Sequence, residues 1–246
     1  NVMFYAKNMV LKFANIMNRS NNLSKFEILW LYFLGLPKTI YFNFKYFKFS
    51  QAIKLPILIS HRVVLKSLKG KIVINNKQKR KFGIVKIGFG YVGIFDGSRS
   101  RSVWECNGKV IFQGYANIGH GSKICVGKNG QLELGNGFDI TAESQIVCFK
   151  NITFGNDVLI SWQCLIMDTD FHKVIKNNQI SNHDKEINIG NHVWIGCRCT
   201  ILKGVNISDG CVIASNSNLV KSINETSSLI GGNPGKVINR DIEWRP

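Results

Sequence analysis

Asp168-Thr169-Asp170-Phe171-His172 brings two carboxyl groups and an imidazole into one short stretch. Imidazole titrates near neutral pH, so a histidine there can take a proton from a weak nucleophile and return it to a leaving group. A carboxylate on the second ring nitrogen would fix the tautomer and favour the imidazolium that forms. Asp168 and Asp170 are both available for that task, and their spacing does not choose between them. The other histidines are His61, His120, His183 and His192. His120 and His192 fall two or three residues past a large apolar repeat position and are expected to face outward. His61 precedes the regular repeats, and His183 shares the stretch that holds His172. Residue types alone leave His172 and His183 both open as a base, beside the plain alternative of solvated loop histidines.

The elements that must position this stretch are written in a six-residue cycle. Large apolar side chains stand at Phe112, Ile118, Ile124, then Leu134, Ile140, Ile146, then Phe154, Ile160, Ile166, then Ile189, Ile195, Ile201, Ile207, Ile213 and Leu219. A fixed short period predicts a coiled parallel β-solenoid, in which each repeat supplies one strand and stacked repeats share a core. A second track two residues earlier carries smaller side chains: Val110, Ala116, Ser122, Val158, Cys164, Val193, Cys199, Val205, Cys211 and Ser217. Residues two apart on a strand share a face, so both tracks are expected to point inward. Gly follows Ile118, Ile189 and Ile195, where the chain must turn.

The cycle is interrupted three times. Two short slips, between Ile124 and Leu134 and between Ile146 and Phe154, fit corner loops. The third is an excursion from Met167 to Glu186 that contains the Asp/His stretch, and in solenoids insertions project from one face, often the binding face. The Ile-Gly-x-x-small-x cycle resembles the hexapeptide repeat of left-handed β-helix acyltransferases. Asp168-Thr169-Asp170-Phe171-His172 resembles the D-x-D-x-H entry to the catalytic loop in the maltose and galactoside acetyltransferase branch and in related bacterial surface-polysaccharide O-acetyltransferases. Val193-Trp194-Ile195-Gly196, Ile213-Ala214-Ser215-Asn216-Ser217 and Gly232-Asn233-Pro234-Gly235-Lys236-Val237-Ile238 are similar to the family's closing sequence. The resemblance spans roughly residues 106 to 240. It departs in Gly235, where Ala commonly follows the proline, and in Leu219-Val220-Lys221-Ser222, which lacks a frequent threonine.

The resemblance implies an all-β fold, a left-handed parallel β-helix in which three hexapeptides make one triangular coil. It further implies a trimer with active sites between neighbouring chains, and acetyl coenzyme A as co-substrate. His172 is implied as general base, with Asp170 or Asp168 in support. Its ring would take a sugar hydroxyl proton as the oxygen attacks the thioester, then return it to the thiolate, with no covalent acetyl-enzyme. The pantetheine arm would pass Trp194, Cys197 and Ser215, and the nucleotide would reach Lys236 and Arg240. The expected activity is O-acetylation of a saccharide of a bacterial capsule or O-antigen. The alternative is N-acetylation of an amino sugar or antibiotic. Related solenoids also include carbonic anhydrases, but no third zinc ligand accompanies His120 and His192, and no metal is expected. A purely structural solenoid would not need the excursion.

Composition sets the outer limits. The chain has 246 residues, 45% of them hydrophobic, and seven cysteines without a C-x-x-C pair, which read as small buried residues of a reducing compartment. Net charge is +17, from 32 Lys and Arg against 15 Asp and Glu. That surplus favours an anionic partner: coenzyme A phosphates, a membrane surface or nucleic acid, of which the last lacks any recognisable motif. Basic residues cluster at Lys69, Lys71, Lys77, Lys79, Arg80 and Lys81, and at Lys38, Lys45, Lys48 and Lys54. The apolar run Phe26 to Leu36 is expected to stop at Pro37, too short to cross a bilayer. Tyr41 to Phe49 interleaves aromatics with lysines, which suits either a cap over the first coil or contact with a membrane surface. A saccharide acceptor carried on a lipid would make that contact useful. The expected organisation is an N-terminal segment 1–60, a β-helix 61–231, irregular to about 105 and carrying the loop 167–186, and a tail 232–246. No secretory signal is read at the N-terminus, so a cytoplasmic protein is expected, with the inner membrane face as the place of any peripheral contact.

Overall fold

Side chains that recur every sixth residue become the rungs of three ladders. The computed structural model describes residues 25–75 and 81–245; residues 1–24 and the basic positions Lys77, Lys79 and Arg80 lie outside the described residues. The chain winds through three sheets of nine, seven and six strands, laying one strand in each per turn. In the first sheet, Ile59, Ile87, Ile118, Ile140, Ile160, Ile195, Ile213 and Ile230 are successive register partners. The second stacks Leu65, Trp104, Ile124, Ile146, Ile166, Ile201 and Leu219. The third stacks Ile74, Phe112, Leu134, Phe154, Ile189, Ile207 and Ile223. Apart from the half-buried Leu65, all of these face one buried core. Each such side chain contributes roughly 1.5–3 kcal/mol by leaving water.

The small track is buried as well, from Val110 to Ser217. Small residues at the corners let successive turns lie at strand spacing. A Cβ on Gly119 would stand 1.9 Å from the Thr141 carbonyl oxygen of the next turn, so no larger residue fits there.

The coil starts well before the regular period. Strands β1 (Ile57–Ile59), β2 (Val63–Leu68) and β3 (Lys71–Ile74) form its first turn, and β4 (Val85–Phe89) opens the second. The period is hidden there by insertions, one of which is a second excursion, residues 90–101, between the first and second sheets. This excursion corrects the expectation for His120. Phe95 packs edge-on against its ring with centroids 6.0 Å apart, and the imidazole is 3% exposed rather than outward-facing. Burial holds its pKa below the ordinary histidine value, opposed by the nearby Glu143 carboxylate. His192 is half-buried under the tail, with Trp244 stacked on its ring at 4.4 Å between centroids.

The N-terminal helix also differs from expectation. Helix α1 (Lys25–Tyr46) runs straight past Pro37. An interior proline forfeits one helical hydrogen bond, yet the second half of α1 is pinned by the solenoid. Phe42 is fully buried against Trp104. The free edge of β1 bonds to α1 side chains: Thr39 Oγ1 accepts from Ile59 N–H at 2.9 Å, and Asn43 Oδ1 accepts from Ile57 N–H at 3.2 Å. Asn43 Nδ2 donates to Ile57 C=O at 2.7 Å. Two polar side chains thus take the place of a neighbouring strand along the outer edge of β1. Helix α2 (Phe49–Ala52) follows and returns the chain to β1. No helix among the described residues is long and apolar enough to cross a membrane.

Asn43→Ala leaves two buried backbone groups of Ile57 without partners. Each such group costs about 1–3 kcal/mol, so we expect about 2–4 kcal/mol of lost stability in urea titration. An unchanged midpoint would show that the helix does not cap the strand edge.

Candidate active site

The excursion leaves the strand Leu165–Met167 of the second sheet and rejoins the third sheet at Ile187–Ile189. Its middle is a small hairpin, Ile175–Lys176 against Gln179–Ile180. Asn177 and Asn178 both adopt positive φ, the two-residue turn that asparagine tolerates.

The two aspartates brace this loop at its root. Asp168 is fully buried, and its carboxylate accepts the backbone N–H groups of Phe149 at 2.7 Å and Lys150 at 2.8 Å. It thereby ties the loop's first residue to the corner of the preceding turn. Burial raises its pKa, against the lowering effect of those N–H donors. The Asp170 carboxylate accepts from Lys203 Nζ at 2.5 Å and from Asn182 Nδ2 at 2.8 Å. Hydrogen bonding from Lys203 holds its pKa below the ordinary aspartate value. Lys203 Nζ also donates to the Asn182 carbonyl at 2.7 Å, and Asn182 Nδ2 donates to the His172 carbonyl at 2.8 Å. Lys203 and Asn182 therefore close the loop across its base. The positive charge following Leu202 was a weak sequence signal for this; nothing marked Asn182.

His172 sits on this brace with its side chain exposed, and Phe171 beside it packs against Phe149 at 5.0 Å. Among the described residues neither carboxylate hydrogen-bonds to the His172 ring; Asp168 is spent on the backbone of Phe149 and Lys150, and Asp170 on Lys203 and Asn182. His183 is also exposed on the loop.

The residues singled out for a coenzyme lie on another part of the coil. Cys197 and Ser215 are stacked at the corner between the first and second sheets, Cys197 Sγ donating to Ser215 Oγ at 3.3 Å. Trp194 is 37% exposed on the outer row of the first sheet, its indole N–H donating to Ser161 Oγ at 3.2 Å. Lys236 is exposed on the last strand, Lys236–Asn239, and Arg240 beyond it pairs with Glu225 at 3.4 Å. A single chain thus gathers Cys197 with Ser215 but leaves His172 at a different corner. No group of three or more potential metal ligands occurs among the described residues.

Lys203→Met removes the ammonium that joins Asp170 to Asn182. An ion pair exposed on one side is worth about 0.2–1 kcal/mol, so global stability should change little. Amide exchange at His172 and Ser181 should instead speed by about tenfold, measured by mass spectrometry. Unaltered exchange would mean that Lys203 does not hold the loop. In the wild type the protection of these amides relative to their intrinsic rates should persist as pH falls and be lost only below the ordinary aspartate pKa, because Asp170 keeps its charge there.

No family model matches the chain. It is 33% identical over 131 residues to a probable macrolide acetyltransferase of Lysinibacillus sphaericus, a match covering 51% of this chain and 67% of that protein. It is 32% identical over 126 residues to the polysialic acid O-acetyltransferase of Escherichia coli O1:K1 / APEC, covering 50% of this chain and 38% of that protein. The chain therefore spans about two thirds of the first relative and well under half of the second. A solved polysialic-acid-specific acetyltransferase aligns over 75% of this chain and 89% of its own, at 23% identity and a TM-score of 0.45. With its six-residue ladders and its excursion at D-x-D-x-H, the chain belongs to the hexapeptide-repeat acyltransferases, whose left-handed parallel β-helix is its fold.

Proposed function

We propose that this acyltransferase moves the acetyl group of acetyl coenzyme A onto a hydroxyl of a bacterial surface saccharide, of capsule or O-antigen type, with His172 as general base. The observation that carries the reading is an exposed histidine held on a loop whose two aspartates and Lys203 do nothing but brace it. A sugar hydroxyl has a pKa far above neutral, and the thioester carbonyl is a soft target, so a positioned imidazole supplies what the reaction lacks. The imidazole accepts the hydroxyl proton as the C–O bond forms, and passes it to the coenzyme thiolate as the C–S bond breaks. Asp168 and Asp170 act as positioning residues, since the loop root is where their bonds go. The developing oxyanion requires a donor, for which a backbone N–H at a coil corner is suited.

The coenzyme is assigned to the corner of Cys197 and Ser215, beside Trp194, with Lys236 and Arg240 toward its phosphates. This follows the family resemblance and the exposed basic end of the tail. Because His172 stands at a different corner of its own chain, a complete site needs the coils of a second copy, which favours a cyclic trimer with three equivalent clefts. The acceptor assignment draws on the likeness to polysialic acid O-acetyltransferases. The likeness to a macrolide acetyltransferase favours an antibiotic as the second reading, including transfer to an amine.

His172→Ala should lower acetyl transfer by about two to four orders of magnitude while leaving coenzyme affinity in calorimetry unchanged. Lys236→Glu should do the reverse, raising KM more than it lowers kcat. The product ester should be cleaved by mild alkali; an alkali-stable product would mean an amide and an amine acceptor. Near-normal turnover of the His172 variant would remove it as the base and make His183 the next residue to replace.

We further propose that the outer face of α1 rests on an anionic membrane surface. Phe26, Trp30, Phe33, Tyr41 and Phe44 are 45% to 75% exposed along one side of a helix whose other side is packed on β1. Lys45, Lys48 and Lys54 follow at its end. Aromatic side chains flanked by lysines suit the headgroup region. The protein should sediment with vesicles containing phosphatidylserine, less so in high salt, and the triple change Phe26→Ser, Trp30→Ser, Phe33→Ser should abolish this. Equal sedimentation of the variant would overturn the contact.

A further inference from the structure

The loop that carries His172 springs from one corner of the coil, between the second and third sheets, and every turn before the loop places a lysine at that corner. Lys69 stands there between β2 and β3, and Lys71 opens β3. Lys109 opens the strand Lys109–Phe112 in the next turn, Lys128 sits in the corner loop before Gln131–Leu134, and Lys150 in the corner before Asn151–Phe154. Past the His172 loop, Lys203 and Lys221 continue the row. Neighbouring strands are about 4.8 Å apart, so the row from Lys69 to Lys150 runs roughly 15 Å and ends at the loop's root. Lys150 makes the link directly, since its backbone N–H is held by Asp168.

Lys203 is spent on Asp170, and Lys150 Nζ reaches the Asp184 carbonyl at 3.5 Å, but the row's lysines before the loop pair with no carboxylate among the described residues. Lys69, Lys71 and Lys128 are exposed and form no ion pair among the described residues; Lys109 meets only the neutral Gln131 amide, Nζ to Oε1 3.2 Å. Glu105, on the strand that leads into the groove, is already paired with Lys66 at 2.8 Å. Between the lysines runs an open groove of about 330 Å³, floored by Gly70, Gly108 and Gly130. The glycines are required by stacking alone, since a Cβ on Gly108 would lie 2.2 Å from the Gly130 carbonyl oxygen. Their absent side chains nevertheless leave the floor flat, so a bound chain could lie against the corner with lysines on either side.

We propose that this groove is the track of the acceptor, and that the acceptor is an acidic polysaccharide, a glycan chain carrying repeated carboxylates. The inference rests on the acetyltransferase reading of the loop, and names the substrate class of that site. Uncompensated like charges a few ångströms apart destabilise a fold slightly, and a polyanion laid along them relieves that repulsion at every rung. A neutral glycan would leave the repulsion in place. The row also points the polymer at His172, so that successive units can be presented without a deep pocket.

The test is binding in the absence of acetyl coenzyme A, with polygalacturonate, neutral dextran of matched length and a single-stranded DNA of matched charge as probes. Wild-type protein should retard polygalacturonate in affinity electrophoresis at low salt, bind dextran at least tenfold more weakly, and bind the DNA no more tightly than the acidic glycan. The triple variant Lys69→Gln, Lys71→Gln, Lys128→Gln should lose about tenfold or more in affinity for the acidic polymer and show a shallower salt dependence, with its melting temperature and coenzyme affinity intact. Equal binding of dextran and polygalacturonate, tighter binding of the DNA, undiminished binding by the variant, or displacement of the polymer by saturating coenzyme A would each overturn the proposal. Because no acetyl transfer is measured, a protein that bound the acidic polymer yet transferred no acetyl group would sink the proposed activity and leave this groove standing.

Discussion

Everything in this molecule depends on one backbone constraint: a strand in a parallel coil has both edges bonded only if a turn lies above it and a turn lies below. Interior turns satisfy this automatically, and their ladders of Ile, Leu and Phe then bury a continuous core. The first strand has no turn on its outer side. Thr39 and Asn43 of α1 fill that place with side-chain amide and hydroxyl groups. An interior proline becomes tolerable because the helix segment beyond it is anchored from below.

The same constraint decides where chemistry can sit. Strands cannot lengthen or bend without breaking a ladder, so insertions are confined to corners. Two of them stand out among the described residues. One insertion, residues 90–101, lays Phe95 over His120; the other carries His172 in water. Both are tied down by polar groups: Arg62 holds the Gly97 carbonyl and Ser100 bonds Glu143 in the first, and Asp170 joins Lys203 and Asn182 in the second. Only the first also lays a ring, Phe95, over the histidine beneath it. The second leaves its histidine where a substrate can reach it.

These facts also account for what could be read before any coordinates. From Phe112 onward the large residues keep the six-residue period between three interruptions, and each falls on a ladder position. Upstream, Ile59, Leu65, Ile74, Ile87 and Trp104 occupy the same ladders, but loops of unequal length separate them and no single spacing connects them. His120 was misplaced for the same reason, because its cover comes from a loop invisible to periodicity. At the loop, the D-x-D-x-H pattern marked the right segment, while the partners of its aspartates lay elsewhere. Phe149 and Lys150 offer backbone N–H groups, which carry no residue-type signal, and Lys203 lies 33 residues from Asp170.

At the far end the ninth strand of the first sheet, Lys236–Asn239, runs antiparallel to Leu229–Gly231, and Trp244 beyond it donates its indole N–H back to the His192 carbonyl at 2.9 Å. Reversing direction here stops the winding, because a further turn would have to begin on a strand pointing the wrong way. Growth of such a chain by repeat duplication is therefore restricted to its interior, between the helix that seals one end and the hairpin that seals the other. Each duplicated turn of that kind would move the two ends apart by one strand spacing and leave both seals intact, so the length of the prism can drift in evolution while its ends are inherited as fixed parts.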